Sequence, residues 1–513
     1  MKGFTIKKYS TFMLLILLNL IHSQAANYNV NKICQSGLRE DNSNYIYCSR
    51  QDLAAIPSFF SDNPSATDSL NTNGLSNTFY DELVLTDNLI EQIDIGSFGS
   101  ALKVRKLYLD HNPIRYIHNL AFKHVRNYLE ELYFNQKLTT DENNYNTDDT
   151  VIFQNSVFQM CFNLHLLSIQ NYQLNALKPF QFLRMSKLQK LVLSNNKMTH
   201  IDENAFKGLE KSLEVLNLDS NLLETVPVAA IRNLVSLNKL SLSQNRIKTI
   251  HANSFGSLRS LEALDLSYNL LRKMDKNSIG GSARQSLKSI QLQNNELKWT
   301  NFIELLKSLP VLADLNLDFN RIARPIKVIQ YLDKRALNAT TTRLALQSLS
   351  IQGNRLTEND LRMLIEPYKK ETYLDSPQFK YPYKKTYNLF DPNAIRYSRF
   401  TFPNLLKLNL ARNKIGNIPG NFFYASNTSK LDSLILDRNP LDSITANYFN
   451  GLEKSLKTLC LNNVGFNIWS PSSVEAFLRL ERLQTLKLNG NTQKIHSFTV
   501  NKLKLGLLQF IIS

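Results

Sequence analysis

Residues 188–196 read Leu188-Gln189-Lys190-Leu191-Val192-Leu193-Ser194-Asn195-Asn196, a spacing of Leu-x-x-Leu-x-Leu-x-x-Asn. The spacing returns as Leu213, Leu216, Leu218 and Asn221, then as Leu237, Leu240, Leu242 and Asn245, then as Leu261, Leu264, Leu266 and Asn269. These asparagines stand 25, 24 and 24 residues apart. A fixed period of this length is the mark of a stacked array, so it outranks any domain count taken from length alone. In Leu-x-Leu the two leucines point the same way from a strand, while the residue between them faces the opposite side. One such turn is too small to bury its own leucines, which are covered only by the turns on either side. The Asn falls where the chain leaves the strand. Its amide holds a donor and an acceptor, and so suits a ladder that satisfies buried backbone groups of adjacent turns.

Fifteen copies run along the chain, with the Asn position first at Asn88 and last at Asn491. It is filled by another residue at Lys137, Tyr172 and Val464. Ten residues beyond the Asn position a Phe recurs, as Phe98, Phe122, Phe182, Phe206, Phe255, Phe423 and Phe449. These residues resemble the leucine-rich repeat family, and the likeness covers about four-fifths of the chain. The period and the Phe are similar to the extracellular class of about 24 residues per repeat, chaoptin-type adhesion molecules and Toll-type ectodomains among them. The resemblance implies an α/β solenoid: a horseshoe with a parallel β-sheet on its concave face and loops or short helices on its convex face. The ladder asparagines are structural in this reading.

The expected organisation is a signal peptide over 1–25, an N-terminal cap over 26–80, a solenoid over 81–495 and a C-terminal cap over 496–513. Inserts are expected near 138–152, 325–343 and 361–400. The first carries Asp141, Glu142, Asp148 and Asp149. The spacing from Asn354 to Asn413 is wide enough for one degenerate repeat, but no second Leu-x-Leu register stands there; an inserted loop with helix after Thr357 is expected. At the N-terminus, Lys2, Lys7 and Lys8 precede an apolar run from Phe12 to Ile21, and Ser23-Gln24-Ala25 offers small residues for cleavage after Ala25. The apolar run is well short of the ~20 residues that span a bilayer. Removal of the leader takes the formal charge from +17 to +14. A secreted protein is expected, with tethering to the cell surface as the alternative.

With 43% apolar and 20% charged residues the chain is ordinary globular material, which excludes disorder over most of its length. Four cysteines are too few for a disulfide scaffold. Cys34 and Cys48 fit one disulfide in an N-terminal cap, where related extracellular proteins often hold four cysteines; a loop of that size is worth on the order of 3 kcal/mol. Cys161 stands in a leucine register and reads as a buried free thiol. Cys460 is the middle residue of Leu459-Cys460-Leu461 and is expected on the solvent side. There it is either shielded by neighbouring side chains or free for an intermolecular disulfide.

No catalytic constellation emerges, no cofactor or metal is expected, and no enzyme is read from the chain. His111, His118 and His124 run from strand exit to convex side and so face different ways. No phosphate loop, dinucleotide fingerprint or nucleophile elbow is present. Trp299 and Trp469 follow strand exits and read as packing residues. Two sequons, at Asn338 and Asn427, suit glycosylation on a secreted surface.

The working surface expected is the concave strand face. Tyr108 and Tyr133 are neighbouring aromatics on it, a pattern shared by interfaces and by ordinary sheet packing. The second candidate is the insert Leu361 to Phe400, where Tyr381, Tyr383, Lys384 and Lys385 typify a basic, Tyr-rich stretch suited to anionic chains; a solvated loop is the plain alternative. Together these imply a secreted, non-enzymatic protein binding an extracellular protein or glycan, in recognition or cell adhesion. A soluble innate-immune factor and a scaffold or inhibitor subunit holding an enzyme are the alternatives. Nucleic acid is not expected as a partner, no membrane span is expected, and a homodimer through the concave face or Cys460 is possible.

Overall fold

The computed structural model describes residues 34–57, 79–136, 157–275, 277–323, 342–365, 400–420, 422–465, 470–491 and 509–511. The chain divides into two compact units, 1–245 and 246–513. Each is a parallel-sheet solenoid.

In the first unit, the hairpin of Gln35–Leu38 and Asn44–Tyr47 opens the sheet, and Asn44–Tyr47 runs parallel to Phe79–Val84. The sheet continues in parallel through Lys103–Tyr108, Glu131–Asn135, Leu166–Gln170, Lys190–Val192, Val215–Asn217 and Lys239–Ser241. In the second unit the order is Ala263–Asp265, Ser289–Gln291, Asp314–Asn316, Ser348–Ser350, Lys407–Asn409, Ser433–Ile435, Thr458–Cys460, Thr485–Lys487 and Gln509–Ile511. Equivalent leucines lie opposite one another in this register: Leu107 beside Leu132, Leu191 beside Leu216, Leu408 beside Leu434. All are buried. Each such side chain contributes roughly 1.5–3 kcal/mol, and none would be covered without the next turn.

The Asn ladder is present in both units. Asn221 Nδ2 donates to the carbonyls of Leu193 (3.1 Å) and Leu218 (3.0 Å), and its Oδ1 accepts from Met198 N (3.1 Å). Asn295 does the same with Leu266 O (2.9 Å), Leu292 O (3.1 Å) and Leu271 N (2.9 Å). Asn88 extends the ladder onto the cap by donating to Cys48 O and accepting from Gln51 N and Leu53 N. In every case the amide serves its own turn and the turn before it. The residue preceding the Asn is held in the left-handed region throughout, as at Asp87, His111, Asn195, Tyr268, Phe319 and Arg412 (φ 53–60°). This kink swings the chain out of the strand toward the convex side.

Where the Asn is lost the structure compensates locally. Tyr172 is buried and has no amide to offer, so the neighbouring Asn171 donates to Gln136 O at 2.7 Å. Opposite Val464, Leu441 N turns to the carbonyl of Asn439 within its own loop (2.9 Å). Lys137 lies outside the described residues.

The recurrent phenylalanines are buried on the convex side of the core, Phe98 stacked on Phe122 (centroids 5.8 Å) and Phe182 on Phe206 (6.4 Å). Short helices replace loops at Trp299–Ser308, Glu358–Ile365 and Pro471–Leu478. Trp299 packs edge-on against Phe302, and Trp469 lies outside the described residues. The two long spacings of the second unit are single turns. Asp314–Asn316 pairs directly with Ser348–Ser350, and that strand pairs directly with Lys407–Asn409. Asn413 Oδ1 accepts from Asn354 N and Leu356 N across the longer of them, so it adds no strand to the sheet. The helix after Thr357 begins at Glu358, with Thr357 N and Oγ1 both donating to Asp360.

Replacing Asn221 by Ala strands the Met198 amide without a partner, at about 1–3 kcal/mol, while the Leu193 and Leu218 carbonyls keep the Asn196 and Asn245 amides. We expect Asn221→Ala to lose ~1–3 kcal/mol of unfolding stability by urea titration. Hydrogen-exchange protection at Met198 should fall with it; unchanged protection there would remove the ladder as the cause.

Candidate functional site

On the concave strands of the first unit, the residues between the buried leucines form a row: Tyr47, Val84, Tyr108, Tyr133, Ser168, Val192, Asn217 and Ser241. Tyr108 and Tyr133 are directly opposite in register, and their rings stack with centroids 4.6 Å apart and planes 10° from parallel. Tyr133 Oη donates to Glu131 Oε2 at 2.7 Å. Burial, with the charges of Glu82 and Glu131 adding to it, pushes the Tyr108 phenol up to about 12. Burial and the bond to Glu131 push Tyr133 up as well. Both are half-buried.

A second row, two residues earlier, runs Tyr45, Glu82, Lys106, Glu131. Arg39 from the cap pairs with Glu82 (2.6 Å) and stands over the Tyr45 ring, 5.6 Å from its centroid. Lys106 pairs with Glu131 (3.3 Å). Tyr47 is 40% exposed and meets Tyr45 edge-on at 5.4 Å. At the strand exits, Asp110 accepts from Asn135 N (2.8 Å) and lies above the usual carboxylate range because it is partly buried. Asp87 sits between His111 (3.1 Å) and Arg50 (3.5 Å). The result is an aromatic strip edged by paired charges. It has the makeup of a docking surface, and no group of three His, Cys, Asp or Glu that could hold a metal occurs among the described residues.

The matching row of the second unit is plainer: Asp265, Gln291, Asn316, Ser350, Asn409, Ile435, Cys460 and Lys487. Short polar side chains fill its first half, and no aromatic occurs in it.

Comparison with known proteins agrees with the fold. The family profile described as leucine rich repeat matches residues 162–212 and 211–271. The solved complex of TLR13 with ssRNA13 is similar in fold, with a TM-score of 0.59 and 21% identity over 84% of this chain; the match spans 53% of that chain, about half its length. A leucine-rich repeat protein of Leptospira interrogans is similar over 90% of this chain and 94% of its own, at 22% identity and a TM-score of 0.50. Residues 162–271 are leucine-rich repeats, and each unit has the leucine-rich repeat fold. No curated protein sequence matches the chain.

The leucine-rich repeat register brings Tyr108 and Tyr133 together, as their positions in adjacent repeats imply. The aromatics of the cap were not singled out in the sequence. Their signal is the alternation Tyr45-Ile46-Tyr47, with Ile46 fully buried and the tyrosines on the other face. Cys34 and Cys48 are joined in a disulfide. Asn427 is exposed in a left-handed turn after the helix Phe422–Ala425. Asn338, Tyr381, Tyr383, Lys384 and Lys385 lie outside the described residues. No helix among the described residues is long and apolar enough to cross a membrane.

Cys460 departs from expectation. It occupies the outward position of its strand, yet it is only 5% exposed, because Ile435 and Lys487 flank it in register on the adjacent turns. Burial, with Asp437 adding to it, pushes its thiol up to about 11. The expectation that it faces solvent is therefore corrected, and a dimer linked through it has no exposed sulfur to start from. Cys161 is fully buried, which pushes its thiol up to about 12.

Two measurements check these environments. Since the thiolate is the reactive form, both free thiols should label with iodoacetamide at pH 7.5 at least about a hundredfold more slowly than in urea. Rapid native labelling of Cys460 would contradict its burial. The tyrosine sign is equally definite: a phenol raised in the folded state contributes stability below its unfolded value near 10 and loses it as pH rises through the folded value. Tyr108 should therefore ionise only toward pH 12, and Tyr108→Phe should flatten the fall in stability between about pH 10 and 12.

Proposed function

We propose that this chain is a secreted, non-enzymatic recognition protein whose N-terminal concave strands hold an extracellular protein or glycan. The leucine-rich repeat fold generally serves as a recognition scaffold, which supports the reading. The observation that carries the reading is the stacked pair Tyr108–Tyr133, presented on adjacent strands in a row that Val84 and Tyr47 continue. Stacking fixes both rings before a partner arrives, so little side-chain freedom is lost on binding. The salt bridges Arg39–Glu82 and Lys106–Glu131 place charges of both signs at its border, where they select among partners more than they add affinity. The apolar leader at 1–25 supports secretion, and the sequons Asn338 and Asn427 are proposed glycosylation sites. Adhesion is the role favoured over soluble immunity or an enzyme-holding scaffold.

The test is a photo-crosslinking residue at Val84, adjacent to Tyr108 in register, in chain exposed to native extracellular material. The crosslinked species are identified by mass spectrometry. Tyr108→Ala with Tyr133→Ala should lower the crosslinked yield at least about tenfold, the usual scale for losing aromatic anchors. Equal yields from both proteins would refute the concave reading, and loss on deleting 361–400 alone would move the site to that insert. Single-stranded RNA, named with the TLR13 neighbour, is included as a competitor; displacement by RNA would overturn the proposal that nucleic acid is not a partner.

A further inference from the structure

A second surface of the first unit lies at the strand starts, on the side where the chain arrives from the convex loops. Phe79 and Lys103 are opposite in register. Phe79 meets Tyr128 edge-on (centroids 6.3 Å, 71°), and Lys103 Nζ stands 5.8 Å from the centre of the Tyr128 ring. One turn further on, Arg126 lies over Phe162, its guanidinium carbon 5.9 Å from the ring centre. Asn163 Nδ2 donates to Asn127 O (2.8 Å), and Lys187 Nζ donates to Asn163 Oδ1 (2.7 Å). These contacts form one continuous strip along successive turns, spaced on the order of 5 Å by the sheet.

Two properties set the strip apart. Its aromatics are exposed, Phe79 by 41%, Tyr128 by 36% and Phe162 by 38%, where large apolar side chains are normally covered. Its charge is predominantly positive, with Glu130 as an acid two residues from Tyr128: the carboxylates of Asp81 and Glu131 are engaged by Arg105 (2.8 Å) and Lys106 (3.3 Å), while Arg126 and Lys187 meet no carboxylate among the described residues. Arg126 Nε makes no hydrogen bond, so the Phe162 ring is what orients the guanidinium.

We propose that this flank binds an acidic polysaccharide, a glycan chain bearing sulfate or carboxylate on successive sugars and lying across the turns. The rings decide the class of partner. Tyr128 and Phe162 each have a cation over one face and so act as platforms that aim Lys103 and Arg126. Single-stranded nucleic acid calls for free faces on which bases stack, and these rings do not offer them in pairs. A polymer with repeated anions needs only cations along its path, which Lys103, Arg126 and Lys187 supply on three of four successive turns. Apolar ring edges suit the C–H faces of sugars. This surface is independent of the concave tyrosines.

The experiment titrates the mature chain with a heparin oligosaccharide over a range of salt. Polyuridylate and polyglutamate serve as probes of the competing classes. Heparin should bind, with affinity falling steeply as salt rises. Arg126→Gln with Lys187→Gln should weaken it at least about tenfold and flatten the salt slope by about 1–2. Lys248→Gln with Lys454→Gln removes the same charge from exposed positions of the second unit and should change affinity less than about twofold. Arg126→Lys, which keeps the charge but not the planar stack, should fall between wild type and the double variant and guards against a folding defect. Tyr108→Ala with Tyr133→Ala should leave heparin binding intact. The proposal is overturned if heparin does not bind, if both charge-removing pairs lose affinity equally, if the tyrosine variant loses it, or if polyuridylate or polyglutamate binds as tightly.

Discussion

No turn of this chain can bury its own leucines, and the rest of the structure follows from that constraint. Leu191 is covered because Leu167 and Leu216 stand beside it in register, and each of these is covered by the next in turn. The strands therefore need only about three residues, enough to hold one outward side chain between inward ones. Everything outside the strand, the Asn corner and the convex Phe is open to change in length. For that reason Ser348–Ser350 and Lys407–Asn409 remain neighbours across a long stretch of intervening chain.

The same constraint explains what could be read in advance. Leucines, asparagines and phenylalanines recur at fixed offsets, so their burial and their roles were legible from spacing. Tyr108 and Tyr133 share one offset in adjacent repeats, so their pairing was legible too. Cys460 shares the offset but not the exposure. Whether an outward position sees water depends on the bulk of its neighbours in the flanking turns, here Ile435 and Lys487, and no single repeat records that. The strip of Phe79, Tyr128 and Phe162 went unread for another reason. Phe79 and Tyr128 stand nine residues before their ladder positions and Phe162 ten, outside the leucine pattern, where the period carries no apolar signal. Tyr45 and Tyr47 precede the first repeat, where the period offers no guide.

The first unit thus presents two faces of different chemistry. Along the concave row, aromatics are bordered by acids and bases that neutralise one another. Along the strand starts, the rings carry cations. Strand centres fix the first face, and strand starts with the loops that lead into them fix the second. The positive balance of the whole chain favours anionic partners at the second without disturbing the first.

The ladder amides also have a direction. Asn196 serves the loop of Tyr172 and Leu174, Asn221 that of Met198, and Asn245 that of Leu223, always backward along the chain. The asparagine that closes each of these corners thus comes from the following turn. A ribosome delivers the turns in that same order. While the repeats are being made, the most recent turn is always unfinished, its corner amides and carbonyls waiting for an asparagine still to emerge. The growing protein therefore carries a single raw edge that moves forward with synthesis, behind which every corner is already closed.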